Sequence, residues 1–149
     1  MSDQSNLHVI GIDIGKDVFH RVGFDADGEI ALRRALHARG FRYRLHHKSL
    51  PGRPDLVFPK YQAVVFVHGC FWHRHPGCSK ATNPATRVEF WRNKFEENIK
   101  RDRRNMDSLR KVGWRALVVW ECELSRSSID DVADHVSNWL KTDQFSDTA

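Results

Sequence analysis

The run His68-Gly69-Cys70-Phe71-Trp72-His73-Arg74-His75-Pro76-Gly77-Cys78 gathers thiols, imidazoles and large aromatics in one short stretch. Cys70, His75 and Cys78 have the close spacing of tetrahedral zinc ligands, and Cys122 is the cysteine left to close a fourth position. A Cys3His set without an open position is structural: it pins a loop and staples a small core instead of activating water. The competing account makes Cys122 a buried apolar cysteine and the loop merely polar.

Upstream, Ser49-Leu50-Pro51-Gly52-Arg53-Pro54-Asp55 presents one carboxylate just ahead of an apolar strand. A nuclease must hold a hard cation such as Mg²⁺ against the scissile phosphate, and Asp55 is its candidate ligand. Pro-Asp before a strand is also ordinary turn chemistry. His73, set among zinc ligands and so fixed in orientation, can take a proton from an attacking water, because imidazole titrates near neutrality. His68, at the end of a strand, can help offset charge on the leaving group. Together these residues point to a metal-dependent nuclease.

For DNA contact, Phe71, Trp72 and Trp91 lie among Arg74, Arg87, Arg92 and Lys94, a mixture suited to wedging between base pairs beside phosphate contacts. Core packing explains the same aromatics equally well. Lys94, Lys100, Arg101, Arg103, Arg104 and Arg110 crowd one predicted helix, which would also suit a solvated face.

The composition agrees with a nucleic-acid partner. Against 19 Asp and Glu stand 24 Lys and Arg, giving +5 and a pI near 9.4, a balance that favours polyanions. With 149 residues, 40% of them hydrophobic, the chain has material for one core. No stretch is apolar enough to span a bilayer and Met1-Ser2-Asp3-Gln4 lacks a secretory pattern, so a cytoplasmic protein is expected. In that reducing compartment, three clustered cysteines suit metal better than disulfides.

The elements that must position these groups read as a mixed α/β layer fold. Val9 to Ile14 and Val18 to Phe24 suggest a hairpin, with Asp25-Ala26-Asp27-Gly28 as a turn. The spacing of Ile30, Leu32, Ala35 and Leu36 predicts a helix over Glu29 to Arg39, ended by Gly40. Strands are predicted at Phe41 to Leu45, Leu56 to Phe58, Ala63 to Val67 and Trp114 to Trp120. Thr86-Arg87-Val88-Glu89 has capping-box form and opens a helix to Lys111, while Ser128 caps a last helix through Leu140. The polar residues from Thr142 to Ala149 read as a fraying tail.

Five motifs together resemble the very short patch repair (Vsr) endonucleases, which nick beside T:G mismatches: Leu50 to Asp55, Val67 to His73, Pro84 to Trp91, Arg101 to Arg104, and Val119 to Cys122. The resemblance implies a restriction-endonuclease-like fold, a mixed sheet flanked by helices with a structural zinc site. It implies Mg²⁺ on Asp55 and the Val67 carbonyl, catalytic His73 with His68, and Asp102 supporting His68. Zn²⁺ falls on Cys70, His75, Cys78 and Cys122. Phe71, Trp72 and Trp91 wedge into the duplex, with Lys94 and Asn98 as further DNA contacts. Upstream, Glu29 keeps the family's spacing and assists the catalytic histidine. The expected partners are mismatched double-stranded DNA and mismatch-repair proteins, with the enzyme a monomer at the nucleoid.

The chain departs from the family at its start. The basic N-terminal arm is missing, and Val9 to His20 instead resembles the opening strands of transposases with a ribonuclease-H-like domain, Asp13 standing where their first metal carboxylate would be. Without acidic partners Asp13 is expected to be inert. The expected organisation is therefore a grafted hairpin over 1–28, an endonuclease domain over 29–141 and a tail over 142–149. Two activities stay open at this level: a strand-specific mismatch endonuclease, and a DNA-binding remnant that no longer cleaves. A transposase fragment is a weaker third reading.

Overall fold

The computed structural model describes residues 26–142. The hairpin expected over Val9 to Phe24 and the tail beyond Thr142 lie outside the described residues. Helix α1 (Ala26–Ala38) leads into β1 (Arg44–Leu45), β2 (Leu56–Phe58), β3 (Ala63–His68), helix α2 (Val88–Lys111), β4 (Arg115–Trp120) and helix α3 (Ile129–Thr142). The sheet runs in the order β1-β2-β3-β4. Its first two pairings are antiparallel and β3 with β4 is parallel.

Strand β3 is buried along all six residues, as its Val-rich run requires, and its alternation feeds two cores. Val65 and Val67 join Leu32 and Leu36 of α1 and Ala133, Val136 and Leu140 of α3. On the other face Val64 and Phe66 meet Leu109 of α2. The result is a sheet between helices, with each fully buried Leu or Val contributing about 1.5–3 kcal/mol of transfer energy. A parallel β3–β4 pair needs a crossover, and the Cys/His loop plus α2 supply it.

Several local expectations change. Helix α1 begins at Ala26, not Glu29, so Ala26 to Gly28 form its first turn in place of the expected hairpin turn. A Cβ on Gly28 would lie 2.9 Å from Leu124 Cβ; glycine lets this turn approach the segment after β4. At the other end Gly40 adopts φ +93°, with Gly40 N–H to His37 O and Phe41 N–H to Leu36 O at 3.0 and 3.1 Å. This is the left-handed helix stop read from the sequence. The strand expected over Phe41 to Leu45 shortens to two residues, because Phe41 turns inward against Phe58.

Helix α2 has no capping box. Arg87 takes the cap position in left-handed geometry without a side-chain hydrogen bond, while Glu89 pairs with Arg92. Likewise the Ser128 hydroxyl accepts from Ser125 N–H and donates to Glu123 O, shaping the preceding turn. Thr142, expected in the tail, ends α3.

Candidate active site and metal centre

Register decides the site. His68 ends β3 opposite Trp120 of β4, so the chain leaving β4 emerges beside the loop leaving β3. A short helical turn, Glu121–Glu123, follows at once, and the buried Glu121 carboxylate accepts the Cys70 N–H at 2.9 Å. That bond draws Cys122 to the loop across 51 residues of separation. His75 Nδ1 then lies 3.6 Å from Cys70 Sγ and 3.4 Å from Cys122 Sγ, and its ring stacks on Trp120 at 4.2 Å. One donor atom each from Cys70, His75, Cys78 and Cys122 lies within 4.8 Å of the others. Burial pushes the Cys70 thiol up to about 12 and also raises Cys122, while hydrogen bonding, led by the Lys80 backbone, lowers Cys78. Three sulfurs and one nitrogen converging in this way fit a closed tetrahedral ion.

On the other side of His68 lies a cavity of about 490 Å³, lined by Asp55, Val67, His68, His73, Arg101, Asp102 and Asn105 among others. Asp55, just before β2, accepts the Val67 N–H on Oδ2 at 2.7 Å. The Val67 contact seen is thus its N–H, whereas the sequence reading placed its carbonyl at the metal. Burial raises the Asp55 carboxyl to about 7 against the lowering effect of the Val67 bond, and the charge of Glu29 adds to the rise. A carboxylate so reluctant to ionise fits a cation position, since an adjacent dication would stabilise its charged form.

His73 and His68 stack with ring centroids 3.8 Å apart. Asp102, from α2, places Oδ2 2.6 Å from His73 Nδ1. The sequence reading had Asp102 supporting His68; the hydrogen bond goes to His73 because one turn of α2 passes beside the loop. Burial favours the neutral Asp102 acid, yet the His73 hydrogen bond and nearby positive groups leave its pKa below the ordinary value. His68 is buried and pushed down to about 3, first by desolvation and then by His73. It is therefore a neutral hydrogen-bonding group rather than a cation.

The partners seen for Glu29 are Arg33 and His46. The Glu29 carboxylate is buried, and His46 Nε2 lies 4.0 Å from it. Sequence reasoning passed over His46, Arg33 and Glu121; the unbroken basic pair His46-His47 ahead of the Asp55 motif was the available signal for the first.

The aromatics form a cluster of their own. Phe71 and Trp91 are 2% and 4% exposed and pack with Phe95, under the Arg74 guanidinium, 4.0 Å from the Phe95 centroid. Trp72 and Phe90 lie at its partly exposed edge. Asn98 is buried and donates to the Trp72 carbonyl at 3.0 Å, bracing the loop. Lys94 is half-buried, while Lys100, Arg101, Arg103, Arg104 and Arg110 are exposed. Arg103 and Arg110 border a second cleft with His68, His73 and Asp102, so the basic face of α2 opens onto the His–Asp pair.

A helix-flanked mixed sheet that sets a cation-ready carboxylate, a His–Asp pair and a basic helix around one cleft defines a phosphodiester hydrolase acting on nucleic acid. The family model described as DNA mismatch endonuclease Vsr matches residues 20–80. The DNA mismatch endonuclease Vsr of Escherichia coli strain K12 is 45% identical over 108 residues, covering 70% of this chain and 69% of the relative. The type II nicking enzyme V.XorIIP of Xanthomonas oryzae pv. oryzae is 53% identical over 97 residues, covering 65% of this chain and 71% of the relative. A Neisseria meningitidis nicking enzyme, V.NmeAIP, is 45% identical over 101 residues. This chain belongs to the Vsr DNA mismatch endonuclease family and is an endodeoxyribonuclease of mismatch repair. The matched stretch starts at residue 20, before the start of α1. Among the described residues no helix is long and apolar enough to cross a membrane.

Proposed function

We propose that this enzyme is Mg²⁺-dependent and nicks one strand beside a T:G mismatch. The observation that carries the reading is the His73–Asp102 pair facing the same cleft as Asp55. Asp55 and the Val67 backbone would hold Mg²⁺, which supplies charge stabilisation at the scissile phosphate. Asp102 accepts from His73 Nδ1, so His73 presents Nε2 as the base that takes the proton of the attacking water. Neutral His68, stacked on His73, donates a hydrogen bond toward the leaving oxygen. Zn²⁺ on Cys70, His75, Cys78 and Cys122 holds this loop in register with β4, within a restriction-endonuclease-like scaffold. Glu29, whose charge also acts on Asp55, assists the catalytic His73.

The basic face of α2, including Lys94, receives the phosphates. Trp72 and Phe90 meet the mismatch first, and the buried Phe71 and Trp91 follow if the cluster opens. The enzyme is read as a monomer of the bacterial cytoplasm, a reducing compartment in which its three cysteines stay available for metal. Residues 1–28 are read as a transposase-like replacement of the family's arm, and repair proteins as recruiting partners.

The test is nicking of an end-labelled duplex with one T:G mismatch, beside a matched duplex, Mg²⁺-free buffer and Asp55→Ala. Mg²⁺-dependent cleavage of one strand at the mismatch is expected. Retained nicking in Asp55→Ala overturns the metal assignment, and salt-dependent binding without turnover makes the chain a DNA-binding remnant.

A further inference from the structure

Arg74 sits between His73 and His75 in the Cys/His loop, yet its side chain serves the aromatic cluster. Its backbone is left-handed, with φ +53°, a conformation that a non-glycine residue keeps only when its surroundings hold it there. The guanidinium lies 4.0 Å from the Phe95 ring centroid and 5.5 Å from that of Phe71. One terminal nitrogen donates to the carbonyls of Phe71 and Thr82 at 3.2 and 3.0 Å. The other donates to the Ala81 carbonyl at 3.2 Å and to Asn83 Oδ1 at 2.8 Å. Both terminal nitrogens thus have their N–H groups committed to protein oxygens. A phosphate gains the bidentate grip that arginine usually offers only by displacing them, which sets Arg74 apart from the exposed Arg101, Arg103 and Arg104 of α2.

Two segments meet at this side chain. Ala81 N–H binds the Cys78 carbonyl at 3.0 Å, so residues 81–83 are tied to the Cys/His loop, while Phe95 belongs to α2. A cavity of about 420 Å³, lined by Arg74, Asn83, Val88, Trp91 and Phe95 among others, opens beside the joint. Packing on that flank is incomplete, and the hydrogen-bonded guanidinium fixes what packing leaves loose.

We propose that Arg74 is the positioning residue of the aromatic wedge: it holds Phe71 and Trp91 against Phe95, in register with the Cys/His loop, and makes no phosphate contact. The proposal rests on the reading of this cluster as the part that enters the duplex. A wedge held in one arrangement before contact loses less side-chain freedom on insertion, and a mispaired step is the easier one to unstack. Lysine keeps the charge but presents a compact ammonium with three N–H groups and no planar face to stack on Phe95, so charge alone does not replace Arg74.

The experiment places 2-aminopurine beside the mismatch of a T:G duplex and follows its fluorescence, which rises on unstacking, with the full chain, Zn²⁺ present and Mg²⁺ absent. Fluorescence anisotropy over a range of salt gives the affinity and its slope, and bound zinc is measured for each protein. The wild type should raise the signal on the T:G duplex and not on matched DNA. Arg74→Lys and Arg74→Gln should both lose the rise with salt slope and zinc content unchanged, and their single-turnover nicking after Mg²⁺ addition should slow about tenfold or more. Asn83→Ala removes one acceptor on an exposed side chain; it keeps the test sound if the Arg74 variants misfold, and should give a reduced rise. A full rise in Arg74→Lys overturns the proposal. So does a slope shallower by about 0.9 in Arg74→Gln, the mark of a lost phosphate contact. An Asn83→Ala protein that matches the wild type while the Arg74 variants have lost zinc overturns it as well. A wild type without any rise overturns the wedge reading itself, and this proposal with it.

Discussion

His73 Nδ1 and Asp102 Oδ2 lie 2.6 Å apart although 29 positions separate them in the chain. The loop after β3 supplies one partner and the middle of α2 the other, so the pair forms where the Cys/His loop meets the long helix. A carboxylate on one ring nitrogen fixes the tautomer and leaves the other nitrogen free to accept a proton.

Asp102→Asn keeps the shape of that contact and removes its charge. Single-turnover nicking should fall by about a hundredfold or more, with zinc content and duplex affinity unchanged. An Asn variant as fast as the parent would remove Asp102 from the proton-transfer apparatus.

Asp55 titrates at about 7 in the folded protein, above the ordinary aspartate value of 3.8. Between these values the folded chain holds a proton that the unfolded chain has lost, so stability from this group is complete at low pH and declines as pH rises toward 7. In Mg²⁺-free buffer Asp55→Asn should therefore be the more stable protein at about pH 8, by something on the order of 1–2 kcal/mol, with the gap shrinking on acidification. Thermal melts at both ends of the range measure it; equal gaps at both would contradict the placement of Asp55.

His68 behaves in the opposite sense. Its folded-state value of about 3 lies below the ordinary histidine value of 6.5, so its contribution is present above the latter and is lost as pH falls through the former. Denaturant titrations should show His68→Gln with a shallower loss of stability over that acid window than the parent.

Cys122→Ser removes the one candidate zinc donor that lies outside the loop. Bound zinc should drop out, and Tm should fall by at least about 5 °C, the shift that roughly 1 kcal/mol produces in a domain of this size. Emission from Trp120, stacked on His75, gives an independent readout. An unchanged Tm with zinc absent would deny the site its stapling role.

The aromatic cluster separates packing from DNA contact. Trp91→Ala should destabilise the fold by about 3 kcal/mol or more because Trp91 is buried. Trp72→Ala, at the partly exposed edge, should cost less stability and more affinity for mismatched duplex, measured by melting and by fluorescence anisotropy. The reverse order would place the duplex on another face.

The amino-acid sequence by itself determined the helix and strand types from Glu29 to Leu140, the α1 stop at Gly40, the central strands, and which donor types Asp55, His68, His73 and the Cys/His loop offer. These depend on local periodicity, turn chemistry and donor type, which neighbouring residues carry. Tertiary structure alone decided who meets whom. Parallel register between β3 and β4 brings Cys122 and Glu121 to the loop, and the path of α2 gives Asp102 to His73 instead of His68. The fold of α1 over the sheet sends Glu29 to His46 and Asp55. The capping box at Thr86 failed for the same reason: its Glu89 found Arg92, a helix neighbour that a four-residue motif does not include. Contacts across dozens of residues follow from how buried faces pack, and that is a property of the assembled layers.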